Sequence, residues 1–314
     1  MTRTVLLALD TSTEYCSVAL LSAPRTPASA GTSNASNAPG TASSNSSGDE
    51  AAPQVWVRHE ATGAVSSTRL LPAIRELFDE AGILLSDCDA VAFGSGPGSF
   101  TGLRTATGVA QGLAFGLNRP VVPVGTLLAC AEFARLRDPS VTRVLTALDA
   151  RMDEVYWADY AWDDALGEWR TIQPASLDAP DRLVLPDTPF TLAGNAAAAF
   201  GERLPAVSAA QTVDREALPH AQPVAYAALR AYRAGRTLPA DQAAPEYVRN
   251  KVAQTTAERM ADKAQKAEQA AAALAASQAV QADPAADASG SGSSRQRGPN
   301  EHSEHSGKGR EGEQ

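Results

Sequence analysis

The sequence predicts an α/β protein built from two similar halves, and three observations carry that expectation. Strand-like and helix-like patterns alternate in two successive blocks. Each block contains two apolar strands joined by an acidic turn, residues 10–14 in the first and 149–153 in the second. A glycine-rich loop over residues 94–104 follows a strand and opens a helix.

Residues 4–9 are apolar and partly β-branched, which predicts a strand, and residues 16–22 predict a second. Residues 54–60 alternate through Val55 and Val57 and form a third. Residues 68–81 place Leu70, Leu71, Ile74, Leu77 and Phe78 at helical spacing, and Gly82 closes that helix. Residues 90–93 are a short buried strand. Residues 101–115 form a helix of small and apolar side chains, with Gly116 as its expected stop. A strand over 121–124 leads to a helix over 127–135. Residues 143–148 and 154–160 are strands around the second acidic turn. Residues 190–193 form a strand before a helix that follows Gly194, and residues 223–234 form a helix ended by Gly235.

Two segments lie outside this pattern. Residues 24–53 are almost wholly Ser, Ala, Gly, Thr, Asn and Pro, too little apolar surface to offset the entropy of ordering. They separate two strand-like runs, so the reading is a disordered insertion in a hairpin loop, which chain entropy tolerates well. Residues 258–314 form a low-complexity tail, Ala-rich with good helix propensity at first and then expected to be disordered. The expected units are a first lobe over residues 1–119 and, over 120–257, a second lobe with a returning C-terminal segment.

Composition narrows the function. Among 314 residues, 27 Lys plus Arg face 36 Asp plus Glu, a formal charge of −9. Such a chain does not hold nucleic acid through bulk charge, because phosphate neutralisation needs clustered cations. No stretch approaches the ~18 apolar residues of a membrane span. The N-terminal apolar run is short and ends at Asp10, unlike a signal peptide, so the expected compartment is the cytoplasm. Cys16, Cys88 and Cys130 lack metal-binding spacing and read as small buried residues. His59 and His220 are isolated in sequence, and no metal site is expected.

The glycine-rich loop admits two readings. Its glycines allow positive φ and close approach, and Ser99 or Thr101 can cap the following helix, whose N–H groups favour an anion. It is equally a tight structural turn, and it lacks the lysine of a Walker loop. Asp10, Thr11 and Ser12, and likewise Asp149, suit Mg²⁺ and phosphate, or ordinary turn chemistry. Two acidic turns, one per lobe, facing across a cleft is the arrangement of an actin-like nucleotide-binding architecture.

Five segments then carry a resemblance: LALDTSTEYCSVAL (7–20), STRLLPAI (67–74), FGSGPGSFTGLRTATGVAQGLAFG (93–116), ALDARMDEVYWADY (147–160) and PEYVRN (245–250). In this order they closely resemble the TsaB family, also called YeaZ. The resemblance implies a two-lobed actin-like (ASKHA, ribonuclease H-like) fold. It implies a non-catalytic partner of TsaD, a paralogous subunit. With the ATPase TsaE, that complex transfers a threonylcarbamoyl group from threonylcarbamoyl-adenylate to N6 of the adenosine 3′ of the anticodon. ATP and Mg²⁺ are then used by the complex, this chain has no cofactor of its own, and tRNA is met only through the complex.

TsaD carries an H-x-x-x-H pair on the helix after the strand at 121–124. Thr126 and Cys130 stand there in this chain. Asp10, Thr11, Ser12, Gly96, Gly98, Ser99, Asp149 and Gly194 are what would remain of a nucleotide or phosphate site, and no residue is assigned as catalytic. The helices at 68–81 and 101–115 are expected to pack on the equivalent pair of TsaD, through Leu70, Leu71, Ile74, Leu103, Val109 and Gly112; the alternative is that the small residues of the second helix pack on the lobe's own sheet, and the two readings are compatible on opposite faces. A homodimer through the same helices is the reading when TsaD is absent. The competing readings are a stand-alone phosphotransferase or ATPase using Asp10 and Asp149, and a metallopeptidase, against which the missing ligands count.

Overall fold

In the computed structural model, residues 3–25 and 52–249 are described. The expected insertion and tail fall almost entirely outside them. Strand β1 (Arg3–Asp10) is apolar on both faces. Val5, Leu7 and Leu9 point to one core and Leu6 and Ala8 to another, the pattern of a strand covered on both sides. Strands β2 (Tyr15–Pro24) and β3 (Gln54–Ala61) follow, antiparallel to β1 and to each other. The β2–β3 register pairs Ser22 with Gln54, so the two strands bracket the insertion as a hairpin.

Helix α1 (Ser66–Ala81) buries Leu70, Ala73, Ile74, Leu77 and Phe78 and ends at Gly82, whose φ of 64° suits a residue without Cβ. Strand β4 (Ala90–Gly96) runs parallel to β1, and helix α2 (Phe100–Leu117) returns over the same face as α1. Its stop is Asn118, at φ 53°, rather than Gly116. Asparagine tolerates the left-handed region, and its N–H caps the carbonyls of Ala114 and Phe115. Strand β5 (Val121–Gly125) pairs parallel with β4.

Helix α3 (Thr126–Arg137) is buried nearly all round, Glu132 included, and packs on a second sheet. That sheet holds β6 (Arg143–Asp149), β7 (Val155–Asp163), β8 (Glu168–Asp178) and β9 (Thr191–Ala193). The short helices α4 (Ala196–Phe200) and α5 (Ala206–Ala209) precede its last strand, β10 (Thr212–Asp214). Helix α6 (Ala221–Arg233) closes the set. Sequence patterns did not expose β8 or β10. β8 is an edge strand with no fully buried residue and holds Pro174, and β10 has three residues.

The two sheets share one topology. The first has the order β3-β2-β1-β4-β5 and the second the order β8-β7-β6-β9-β10, with the same antiparallel and parallel pairings. The 10–14 and 149–153 turns therefore occupy equivalent places. The lobe boundary expected at 119/120 falls one strand early, because β5 completes the first sheet. Helix α6, near the end of the 120–257 unit, lies against the first sheet, covering Leu6, Ala8, Ala19 and Leu21 with Val224, Ala228 and Leu229. No helix among the described residues is long and apolar enough to cross a membrane.

Candidate functional site

The first acidic turn is built from inside. Asp10 ends β1 with 1% of its surface exposed. One carboxylate oxygen accepts from the Ser12 N–H (3.1 Å) and hydroxyl (2.8 Å). The other is buried without a partner, facing Gly94, where a Cβ would stand 2.0 Å from it. Burial pushes the carboxyl from the ordinary 3.8 up to about 6, and the Ser12 hydrogen bonds only partly oppose this.

The glycine-rich loop lies directly on this turn. The Ser99 N–H donates to the Ser12 carbonyl (2.8 Å), and the Thr11 hydroxyl donates to the Gly102 carbonyl (2.6 Å). A Cβ on Gly98 would lie 2.7 Å from the Ser12 carbonyl oxygen, and one on Gly102 only 1.7 Å from that of Thr11. Ser99, not Thr101, is the helix cap, its hydroxyl accepting from the Gly102 N–H. Gly96, at φ 124°, serves another contact: its Cβ would meet the Glu246 carbonyl at 2.4 Å. These glycines thus bring the protein's own backbone close. Asp10, Thr11 and Ser12 are buried, and hydrogen bonds of the chain itself join the turn to the loop.

The second turn serves its own hairpin. Asp149 accepts from the Arg151 N–H (2.9 Å) and pairs with its guanidinium (3.2 Å), while its own N–H donates to the Asn195 side chain (2.8 Å). Arg151, Met152 and Asp153 all have positive φ, a conformation that is unfavourable for side chains with Cβ. Gly194, at φ 113°, lets the chain pass Ala147, whose carbonyl a Cβ would meet at 2.2 Å. The structure thus joins Asp10, Thr11, Ser12, Gly98 and Ser99 in one cluster and Asp149 with Gly194 in another.

Thr126 and Cys130 are absorbed into structure. The Thr126 hydroxyl donates to the Pro97 carbonyl, and Cys130 lies in the α3 core with its thiol pushed well up by burial. Cys16 and Cys88 are likewise free and buried, as expected. Among the described residues no group of three or more His, Cys, Asp or Glu side chains could hold a metal ion.

Comparison with known proteins places the chain in a family. The family model described as tRNA N6-adenosine threonylcarbamoyltransferase (TsaD) matches residues 59–290. The tRNA threonylcarbamoyladenosine biosynthesis protein TsaB of Escherichia coli is 34% identical over 253 residues, 79% of this chain and 96% of that protein. The chain belongs to the TsaB (YeaZ) family. The TsaB of Haemophilus influenzae is 35% identical over 190 residues, 59% of this chain and 68% of its own. The solved structure of YeaZ from Pseudomonas aeruginosa aligns at a TM-score of 0.63 and 37% identity, covering 78% of this chain and 99% of that one. The two mixed sheets with their helices are the actin-like two-lobed fold.

The helix face expected to meet a partner needs correction at three positions. Leu70 and Ile74 are buried against the first sheet, because the apolar stripe of α1 covers its own core, and Leu103 is buried beside Gly96. Val109 is half-buried against the same core. Leu71 is 53% exposed and Phe115 77%. Gly108, Gly112 and Gly116 follow on the exposed side of α2 with open space around each. Phe115 escaped the sequence reading because an aromatic in an apolar helix looks like core.

Two further clusters were not legible in sequence. His59 and His220 are neighbours in space, ring centroids 5.1 Å apart, between Tyr15 (4.4 Å from His59) and Phe133 (4.3 Å from His220). Burial, aided by the nearby His59, pushes His220 down to about 4. A cavity of about 460 Å³ lies between β5, α3, β8 and α6, lined by Leu128, Trp169, Ala227, Arg230 and Leu238 among others. The charges around it are already paired, Arg230 with buried Glu132 and Arg236 with Glu168.

Proposed function

We propose that this chain is the non-catalytic subunit of a tRNA threonylcarbamoyladenosine-forming complex. It binds and activates the paralogous TsaD through the exposed side of α1 and α2, and TsaE joins the pair. The observation that carries the docking part is the run of exposed glycines, Gly108, Gly112 and Gly116, flanked by Phe115. A bare glycine ladder in a helix lowers intrinsic helix stability, and it lets another helix approach closely. A match to the TsaD family model supports a partner with an equivalent pair of helices. The same face in a second copy of this chain accounts for a homodimer when TsaD is absent.

The non-catalytic part rests on the inward-bonded Asp10 turn. Catalysis, ATP and Mg²⁺ then belong to the partners, and tRNA is met only in the complex. A stand-alone ATPase would need the two acidic turns open to nucleotide, and each bonds to its own chain.

The test is purification of this chain alone and mixed with its cognate TsaD. Each sample is assayed for threonylcarbamoyl transfer to tRNA with TsaE, ATP and threonylcarbamoyl-adenylate. Transfer only in the mixture, with a heterodimer by size, is expected. Gly112→Trp, with open space at the substituted position, should keep the fold and abolish the heterodimer. ATP hydrolysis or transfer by this chain alone overturns the reading.

A further inference from the structure

The last described residues cross from one sheet to the other. The segment is first tied down where Leu238 and Val121 exchange backbone hydrogen bonds. The Glu246 N–H then donates to the Ser95 carbonyl (2.7 Å), and its own carbonyl lies over Gly96. The Tyr247 hydroxyl accepts from the Arg104 Nε (3.0 Å), and its ring is 5.6 Å from that of Phe100. The Arg104 guanidinium lies 3.8 Å over the Phe100 ring. Two residues on, Arg249 donates to the Arg151 carbonyl (3.3 Å) and pairs with Glu154, beneath the second sheet's hairpin turn. Residues 246–249 thus touch the glycine-rich loop, the first turns of α2 and the turn with consecutive positive φ angles.

The α2 end of this crossing is a surface patch. Phe100 is 38% exposed, Tyr247 43%, and Arg104 is exposed beside them. Only the Nε of Arg104 is engaged among the described residues, so its two terminal nitrogens present a fork. Such a fork matches a carboxylate, and stacking on Phe100 holds it in place. Aromatic rings around an arginine are the residue types on which interface energy concentrates.

We propose that Phe100, Arg104 and Tyr247 anchor the docked subunit, Arg104 gripping a carboxylate on it, and that residues 246–249 clasp this anchor to the 149–154 turn. The proposal rests on docking along α2. Filling the anchor holds Tyr247, which holds Arg249, and Arg249 steadies a turn whose backbone conformation is unfavourable by itself. Partner binding is in this way felt in the second lobe without contact there.

Two measurements on the full chain test it. Arg104→Glu should weaken TsaD binding on the order of a hundredfold, and Arg104→Lys roughly tenfold, since lysine keeps the charge but not the fork. If Arg104→Glu binds like wild type while Gly112→Trp abolishes binding, the anchor is wrong and docking on α2 stands. If neither change affects binding, docking itself is wrong and the anchor falls with it. In hydrogen–deuterium exchange, Tyr247→Phe keeps the ring but loses the hydroxyl. It should raise exchange in the 149–156 region roughly two- to fivefold, the scale of one surface contact. Exchange that changes only beside residue 247 rules out the clasp.

Discussion

Burial disfavours the charged form of Asp10, whose second oxygen faces Gly94 without a donor. Its folded pKa is raised to about 6 from the ordinary 3.8. Between these values the native state keeps a proton that the unfolded chain releases. This contribution is therefore fully present below about pH 4 and is lost as pH rises through 6, with an upper size of about 3 kcal/mol. Asp10→Asn keeps an acceptor for Ser12 and cannot ionise. The stability difference between wild type and Asp10→Asn, from urea unfolding at several pH values, should shift in favour of the variant from pH 4 to 7. Parallel profiles would show that this carboxyl does not titrate in that window.

At the level of elements, α2 uses glycine for two opposite purposes. At its start Gly102 lets the helix sit on the Thr11 carbonyl, where an added methyl would be 1.7 Å from oxygen. Gly102→Ala should therefore destabilise by roughly 2–4 kcal/mol, since backbone on both sides must move. Further along, Gly108 has open space, and Gly108→Ala should stabilise by up to about 1 kcal/mol through helix propensity. Denaturant midpoints of the two variants should move in opposite directions. Equal shifts would mean that the loop is not packed on the turn. Helix α6 shows a second use of an element: Arg230 meets Glu132 of α3, which also accepts from the Trp169 indole N–H of β8 (2.9 Å). A buried carboxylate with these partners joins the helix over the first sheet to the second sheet, and losing one partner would leave it uncompensated.

For the whole molecule, charge decides what the chain can do alone. A formal charge of −9 opposes binding to a polyanion. The isolated chain should show no retention of tRNA in a filter-binding assay at about 0.15 M salt, whereas the mixture with TsaD should retain it. Retention by the chain alone would call for a basic surface of its own. The two sheets of common topology give the molecule two equivalent turns, and the C-terminal crossing at 246–249 links the second of them to the start of α2.

Much of this was legible in sequence because it depends on near neighbours. The β1 and β2 strands, the α1 stripe, Gly82 as a stop and Ser99 as a possible cap follow from local periodicity and backbone sterics. The glycine-rich segment, together with the other matching blocks, identified the family. Other features belonged to the tertiary structure. An apolar stripe says that a face will be covered, but not by what: Leu70 and Ile74 are covered by their own sheet, and Leu103 is buried within the chain. Whether the glycines of the loop admit a phosphate or the chain's own carbonyl is decided by Thr11 and Ser12, some ninety residues away. The return of α6 to the first sheet, the meeting of His59 with His220 and the reach of Arg249 to Glu154 join residues distant along the chain. Local sequence patterns carry no record of such contacts, because closing the chain between them is set by the packing of the whole.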